Sequence, residues 1–158
     1  MIFKLLKLSA IVYVTVIVGC LLFFDRDQEQ LKWQLDKANS LSKQSITDFQ
    51  SWTMFNVQKN DSSLISTSND PFIISPDWMH SGAKKTYIKI DMETTDKLIQ
   101  VFWKKNDQQF SEDKSKVFRE GESVELLIEE DISQIRIDPA GSINQAFKIL
   151  KVEVEKYQ

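Results

Sequence analysis

The sequence predicts a mainly β protein, with an antiparallel β-sandwich over residues 46–158 preceded by an N-terminal transmembrane helix and a short juxtamembrane helix. Three observations support this fold class. Residues 8–24 form an uncharged apolar run, the chain beyond residue 46 alternates apolar and polar residues, and clusters of turn-forming residues separate the alternating segments. Because domains commonly hold about 100–150 residues, the 158-residue chain accommodates one such domain and its attachments.

The N-terminal segment, residues 1–24, is long enough to span a bilayer. It carries no charge from Leu8 to Phe24, and with the preceding leucines its apolar length approaches the ~20 residues that a transmembrane helix requires. Lys4 and Lys7 lie before the run. The positive-inside rule therefore predicts a cytoplasmic N-terminus and a C-terminal domain outside the cytoplasm, in the periplasm or the extracellular space.

Two other interpretations of this segment are considered. A cleaved signal peptide would need a small-x-small cleavage site, and none precedes the polar boundary. The stretch Ile17-Val18-Gly19-Cys20 resembles a bacterial lipobox, which makes Cys20 a candidate for lipidation. The apolar run continues through residues 21–24, whereas the mature end of a lipoprotein is normally polar. We favour an uncleaved anchor, and either form would tether the domain outside the membrane.

Residues 25–45 are predicted to form a juxtamembrane helix or stalk. They contain neither glycine nor proline, and Leu31, Leu35 and Ala38 recur at i, i+4 and i+7, which places them on one narrow helical stripe. The helix is either a solvated stalk or a short oligomerisation element. Fewer than three heptads are present, which is too few to predict a coiled coil.

The segments after residue 46 alternate with a period of two, so each presents one apolar face. The alternation slips by one residue between Ile149 and Leu150, which indicates a β-bulge. Weaker candidate strands cover residues 52–57 and 72–74. Short strands of this kind, separated by turns, are typical of an antiparallel sandwich. The predicted inward series are Ile88, Ile90 and Met92; Ile99, Val101 and Trp103; Val124, Leu126 and Ile128; Ile135 and Ile137; and Phe147, Ile149, Leu150, Val152 and Val154.

The C-terminal half resembles a known β module in its segments LIQVFWKKNDQQFSEDKSKVFREGE, SQIRIDPAG and AFKILKVEVE. The residues that carry the resemblance are Phe102, Trp103, Phe110, Ser111, Glu112, Arg136, Asp138 and Pro139. The pattern is similar to that of a carbohydrate-binding-like jelly-roll module associated with bacterial glycosyltransferases and surface-polysaccharide biosynthesis. The resemblance spans residues 86–155. It implies a jelly-roll sandwich that acts in envelope glycan assembly, and it does not imply catalysis.

The chemistry of the segment from Ile135 to Pro139 supports a simpler role as well. If Ile135 and Ile137 face the core, Arg136 and Asp138 share the opposite face two residues apart. Proline ends the strand, and the Asp138 carboxylate can accept hydrogen bonds from the turn. We favour a strand terminator with a local ion pair, and keep ligand binding by Arg136 and Asp138 as the alternative.

The sequence contains no recognised catalytic or metal-binding signature. His80 is the only histidine and Cys20 the only cysteine, so no multi-histidine metal site is expected. No P-loop, dinucleotide fingerprint or nucleophile-elbow motif occurs. A formal net charge of −3 argues against nucleic acid as a partner, because nucleic-acid interfaces are basic. We therefore expect a non-catalytic protein without a cofactor, with an enzyme using a carboxylate pair as the alternative.

Aromatic side chains offer the remaining indication of a ligand, because sugar rings stack their C–H faces on them. Trp78 and His80 lie in the polar loop that follows Pro76, and Phe102 faces away from the core residue Trp103. We expect Trp78 to be exposed, although large aromatic residues in a small sandwich mostly pack in the core. The predicted carbohydrate-binding residues are Trp78, His80, Phe102, Arg136 and Asp138.

Two functional hypotheses follow from the sequence. The first is a non-catalytic, membrane-anchored envelope protein whose carbohydrate-binding-like domain acts in cell-surface polysaccharide assembly, with the lipid bilayer and an envelope glycan as partners. The second is a protein-interaction scaffold that positions a membrane glycosyltransferase or polymerase. Glycan binding by the β domain distinguishes the first hypothesis from the second.

Overall fold

The computed structural model describes residues 39–60, 62–78 and 81–158. The predicted transmembrane segment 1–24, with the lipidation candidate Cys20, lies outside these residues, as does His80. Most of the predicted juxtamembrane helix lies outside them as well. Within the described ranges, no helix has the length and apolar character needed to cross a membrane.

The described residues form eleven β-strands and one short 3-10 helix, η1 (Glu112–Lys114). The strands are β1 (Ser40–Ile46), β2 (Thr53–Phe55), β3 (Val57–Asn60), β4 (Ser63–Ser66), β5 (Phe72–Ile74), β6 (Lys85–Thr94), β7 (Leu98–Lys104), β8 (Ser115–Arg119), β9 (Val124–Ile128), β10 (Gln134–Asp138) and β11 (Ala146–Tyr157).

These strands build two antiparallel sheets, so the predicted antiparallel β-sandwich is confirmed. One sheet has the order β3-β4-β11-β6-β9, and β1 also pairs with β11. The other sheet has five strands in the order β2-β5-β10-β7-β8. Neighbours in each sheet are mostly distant in sequence, so the chain passes repeatedly from one sheet to the other.

All residues predicted to face inwards except Leu150 belong to the core between the two sheets or pack against it. Met92 and Trp103 are partly buried and pack against this core. The period-two alternation identified the inner face correctly because successive side chains of a strand point to opposite sides. The buried members of the predicted series are Ile88, Ile90, Ile99, Val101, Val124, Leu126, Ile128, Ile135, Ile137, Phe147, Ile149, Val152 and Val154.

The predicted β-bulge lies in β11. The pairing of β11 with β6 shifts register between Ile149 and Lys151. Leu150, which the sequence placed in the inward series, is exposed instead. It is the extra residue of the bulge, and its outward position restores Val152 and Val154 to the core face.

The helix predicted over residues 25–45 is wrong for its C-terminal part, because Ser40–Ile46 form the strand β1. β4 pairs only with Ala146 and Phe147 of the long strand β11. The rest of that edge of β11 is therefore open, and β1 pairs along it from Tyr157 to Val152. Unpaired strand edges strongly favour such pairing, which here overrides the local helix propensity of the segment. The sandwich consequently begins before residue 46.

A buried ion pair fixes the loop that follows β5. Lys156 Nζ donates to Asp131 Oδ1 over 2.6 Å and to the carbonyl oxygen of Ile132 over 3.1 Å. The two side chains are only 5% and 4% exposed. Asp131 Oδ2 in turn accepts hydrogen bonds from the backbone N–H groups of Ser81, at 2.9 Å, and Gly82, at 2.7 Å. One carboxylate thus ties the loop to the end of β11.

Candidate functional site

The outer face of the five-stranded sheet brings three of the predicted binding residues together. Residues opposite each other on neighbouring strands point to the same side of a sheet. Ile135 and Ile137 point into the core, so Arg136 and Asp138 point outwards. We refer to the two adjacent rows of outward residues as the two-row face. The first row is Thr53, Ile74, Arg136, Phe102 and Ser115. The second row is Phe55, Phe72, Asp138, Gln100 and Val117.

Arg136 lies at the centre of the two-row face and is held on several sides. Its Nε donates to Asp138 Oδ1 and its Nη2 to Asp138 Oδ2, both over 2.6 Å. Nη2 also donates to Asp70 Oδ1 at 3.1 Å. The guanidinium carbon lies 4.1 Å from the ring centroid of Phe72 and 5.0 Å from that of Phe102. This geometry combines a bidentate ion pair with cation–π contacts, and it confirms the ion pair between Arg136 and Asp138.

The Asp138 carboxylate is mostly buried and interacts with several charged groups. Burial raises the pKa of Asp138 above its ordinary value, the Arg136 guanidinium opposes that rise, and the charges of Asp70 and Glu112 add to it. The net direction is upward even though Arg136 contacts both carboxylate oxygens. The desolvation of the Asp138 carboxylate, which is the largest of these effects, therefore outweighs its ion pair with Arg136.

A second polar group lies beside this ion pair. The Gln100 side-chain amide donates to Glu112 Oε2 at 2.8 Å and to Ser115 Oγ at 3.0 Å. Glu112 belongs to η1, which precedes the edge strand β8 and brings its carboxylate over the sheet. Amide, hydroxyl and carboxylate groups of this kind can exchange hydrogen bonds with the hydroxyl groups of a ligand.

Exposed apolar side chains lie at both ends of the second row. Phe55 is 43% exposed and stacks on Phe72 with a centroid separation of 4.6 Å and an interplanar angle of 27°. At the opposite edge of the sheet, Val117 is 49% exposed and Leu98 is exposed nearby. The row thus runs from an aromatic platform, across a polar centre, to an aliphatic edge.

The structure corrects two expectations about exposed aromatic residues. Phe102 does face away from Trp103, but it is only 5% exposed because the Arg136 guanidinium covers its ring. Trp78 is 8% exposed and packs in the core, where its backbone N–H donates to the Ser133 carbonyl at 2.7 Å. Trp78 is a core residue, as the alternative interpretation held, because its loop is fixed on the sandwich by Asp131.

Sequence reasoning missed several members of this face. Phe55 and Phe72 were covered by weak strand predictions, and their pairing across β2 and β5 depends on a register that sequence does not reveal. Phe72 precedes the buried Ile73, so strict alternation would have placed it outwards. Four residues that carry the family resemblance do converge here: Phe102, Glu112, Arg136 and Asp138.

Metal binding finds no support at this face. Within residues 39–60, 62–78 and 81–158, no group of three or more histidine, cysteine, aspartate or glutamate side chains is arranged to hold a metal ion. The polar centre is instead built from an ion pair and an amide network, which suits recognition of hydroxyl-bearing ligands.

Similarity to known proteins is confined to the fold. No protein-family model matches the sequence, and no curated protein matches it. Among solved structures, the second N-terminal cellulose-binding domain of the β-1,4-glucanase C of Cellulomonas fimi has a TM-score of 0.51 at 10% identity, and the match covers 78% of this chain and 98% of that one. The C-terminal CBM6 of a Zobellia galactanivorans laminarinase, LamC, has a TM-score of 0.47 at 10% identity, covering 73% and 100%.

A third similar structure is the low-affinity xylan-binding module CBM86 of Roseburia intestinalis, with a TM-score of 0.47 at 10% identity, covering 74% of this chain and 96% of that module. Each of these three solved structures is a carbohydrate-binding domain or module. At these identities, the likeness to the Cellulomonas fimi domain shows the fold alone. The class defined by the described residues is an antiparallel β-sandwich of the type that carbohydrate-binding modules adopt.

Proposed function

We propose that this chain is a non-catalytic glycan-binding protein and that the two-row face is its binding surface. The observation that carries the proposal is the second row itself, in which an exposed aromatic platform and an aliphatic edge flank a centre of fixed polar groups. Sugars likewise combine apolar and polar parts: their C–H faces pack on apolar surfaces, and their hydroxyl groups need hydrogen-bond partners. The β-sandwich class is consistent with this role.

The dimensions of the face suit an extended ligand. Five strands leave four inter-strand spacings of about 4.8 Å each, or roughly 19 Å from β2 to β8. A glycan chain lying across the strands would contact Phe55 at one end, the Asp138 and Gln100 groups in the middle and Val117 at the other end. The ion pair of Arg136 with Asp138 and its packing on Phe72 and Phe102 hold this surface rigid. A rigid surface loses less conformational entropy when a ligand binds.

We further propose that the glycan-binding domain is anchored to a membrane through residues 1–24, lies outside the cytoplasm, and acts in cell-surface polysaccharide assembly. The uncharged apolar run and its preceding lysines support the anchor and its orientation. The resemblance to jelly-roll modules associated with bacterial glycosyltransferases supports the role in polysaccharide assembly. A tethered, non-catalytic receptor would hold a growing or mature glycan near the membrane surface.

The exposed pair Leu98 and Val117 favours a second candidate function. An apolar edge next to a polar centre is also a common protein-binding surface. In this case, the domain would be a scaffold that positions a membrane glycosyltransferase or polymerase. Crosslinking of the full-length protein in its native membrane would then yield one dominant protein partner.

Replacing Phe55 by alanine is expected to weaken glycan binding by about tenfold, or roughly 1.4 kcal/mol, because it removes the exposed aromatic platform. The affinity of full-length protein for glycans extracted from its native envelope would be measured by calorimetry. Ile143→Ala provides the control, since Ile143 is also exposed and apolar but lies in the loop between β10 and β11. Equal affinities of both variants would refute the proposed surface, and retention of no envelope glycan by the unaltered protein would refute glycan binding.

A further inference from the structure

A gap in the sheet that contains β11 leaves one part of the core without a covering strand. β4 pairs with β11 only at Ala146 and Phe147, and β1 pairs with the same edge only from Val152 onwards. Among the described residues, no strand pairs with this edge of β11 over residues 148–151. Core side chains that lie next to the gap are therefore open to the outside.

A cavity of about 300 Å³ lies beside this gap. Its apolar wall takes Leu64 and Ile149 from one sheet, Met54 and Ile73 from the other, and Phe49 from the segment between β1 and β2. Met54 points inwards because it lies opposite the core residue Ile73 on the neighbouring strand. A cleft of this size with a mainly apolar wall is typical of a site for a small molecule.

The volume and the wall of the cavity define its occupant. An apolar cavity of about 150 Å³ stays dry and holds one benzene molecule, so twice that volume has room for roughly ten carbon atoms. One alkyl chain of that length fits, whereas the two long chains of a diacyl lipid do not. A sugar is unsuited to this place, because hydroxyl groups that lose water without gaining hydrogen bonds are costly to bury.

Two lysines lie at the cavity. Lys59 is opposite Leu64 in the pair of β3 and β4, so it lies on the inner side of the sheet edge. Lys148 precedes Ile149 at the gap in the sheet. Both lysines are exposed and line the cavity, and within the part of the chain that the structure describes neither forms an ion pair or a side-chain hydrogen bond.

Two carboxylates near the cavity limit the positive charge without cancelling it. Asp48 also lines the cavity, but its Oδ1 already accepts the backbone N–H of Gln50 at 3.0 Å. Glu93 lies opposite Lys148 in the pair of β6 and β11, and the two form no ion pair. A lysine can keep its methylene stem on an apolar wall while its ammonium group reaches a polar partner. The mouth of the cavity therefore favours an anionic group modestly.

We propose that this cavity binds a single-chain amphiphile with an anionic head group, of the class of fatty acids and alkyl phosphates. The alkyl chain lies against Leu64, Ile73 and Ile149, and the head group stays at the mouth, where it pairs with Lys59 and Lys148. The site lies on the inner side of β2 and is separate from the two-row face, so it does not depend on glycan binding.

The length of the alkyl chain provides the first test. Octyl, decyl and tetradecyl phosphate, each below its micelle concentration, are bound to the full-length protein in lipid nanodiscs, and empty nanodiscs give the partitioning to be subtracted. We expect decyl phosphate to bind about tenfold more tightly than octyl phosphate, because two more methylene groups are buried. Tetradecyl phosphate should gain nothing further, because its last carbons lie outside the cavity. A steady gain through tetradecyl would overturn the inference.

Filling the cavity provides the second test. Met54→Trp should weaken binding of decyl phosphate by about tenfold or more, because the larger side chain takes the place of several buried methylene groups. Met54 is 38% exposed, so the substitution spares the tightly packed core. Ile143→Trp is the matched control, since Ile143 is exposed and lies in the loop between β10 and β11. Equal affinities of the two variants would refute the site.

The head group provides the third test. Decyl phosphate should bind about fivefold more tightly than decyltrimethylammonium, as two exposed charge pairs allow, and added salt should reduce the difference. Replacing Lys59 and Lys148 together by glutamine should remove this preference. The same change at Lys84 and Lys97, two exposed lysines that do not line the cavity, should leave it intact. Equal binding of the two decyl compounds to the unaltered protein would contradict an anionic ligand.

Discussion

Replacing Asp131 by asparagine is expected to lower the free energy of unfolding by about 3–5 kcal/mol. Asp131 and Lys156 are almost completely buried, so removing the negative charge leaves the Lys156 ammonium without its compensating partner in a place that water does not reach. The same carboxylate accepts the backbone N–H groups of Ser81 and Gly82. An amide oxygen binds those donors less strongly, so the loop carrying Trp78 should loosen as well.

Urea unfolding followed by tryptophan fluorescence would measure this loss. Lys156→Met should cost a similar amount, whereas Lys85→Gln, which breaks the more exposed pair with Glu129, should cost no more than about 1 kcal/mol. The double variant of Asp131 and Lys156 should recover only part of the loss, because the loop amides still lack their acceptor. Similar values for the buried and the exposed pair would contradict this account.

The pH dependence of stability provides a second check on Asp131. Burial alone would raise its pKa, but the hydrogen bond from Lys156 and the backbone N–H groups of Ser81 and Gly82 hold it below its ordinary value of 3.8. A lowered pKa in the folded state contributes stability that is present above pH 3.8 and is lost as the pH falls through the folded-state value. Asp131→Asn should lack this acid-dependent component.

Replacing Arg136 by methionine is expected to cost about 2–3 kcal/mol of folding stability. The substitution removes two charge-assisted hydrogen bonds to Asp138, whose side chain is mostly buried, and uncovers the rings of Phe72 and Phe102. Arg119→Met is the control, because Arg119 is an exposed residue of β8 on the same side of the sheet. It should change stability by less than about 0.5 kcal/mol.

The loss in Arg136→Met should grow with pH. The pKa of Asp138 is already raised by burial, and loss of the guanidinium raises it further. A buried carboxyl group with a raised folded-state pKa is tolerated while it is protonated. The folded protein loses stability as the pH rises through that pKa. The deficit should therefore be small near pH 4 and largest at neutral pH. Adding Asp138→Asn should recover part of it, and a deficit independent of pH would contradict the electrostatic explanation.

The core could be predicted from the sequence because burial on one side of a strand imposes a period of two. Ile88, Ile90, Ile135 and Ile137 were placed correctly on that basis, and the bulge near Leu150 appeared as a break in the same period. The Arg136–Asp138 pair was also predictable, because residues at i and i+2 share a face of a strand.

The rest of the site depends on long-range pairing that no local pattern contains. Arg136 covers Phe102 because β10 and β7 pair in one particular register, and a shift of one residue would turn the covered ring into the core. Ser40–Ile46 adopts a strand only because an edge of β11 is open to it. The prediction that Trp78 is exposed was wrong for a related reason. The polarity of a loop does not show which part of the protein the loop packs against.

The pairing of β1 with β11 also has a mechanical consequence. β1 is the strand through which the described domain joins the preceding chain, and six of its residues pair with β11. Tension applied at Asn39 along the axis of β1 would act on these pairs in shear, so that the backbone hydrogen bonds bear the load together rather than breaking one after another. A force along β1 is therefore shared by several backbone hydrogen bonds at once.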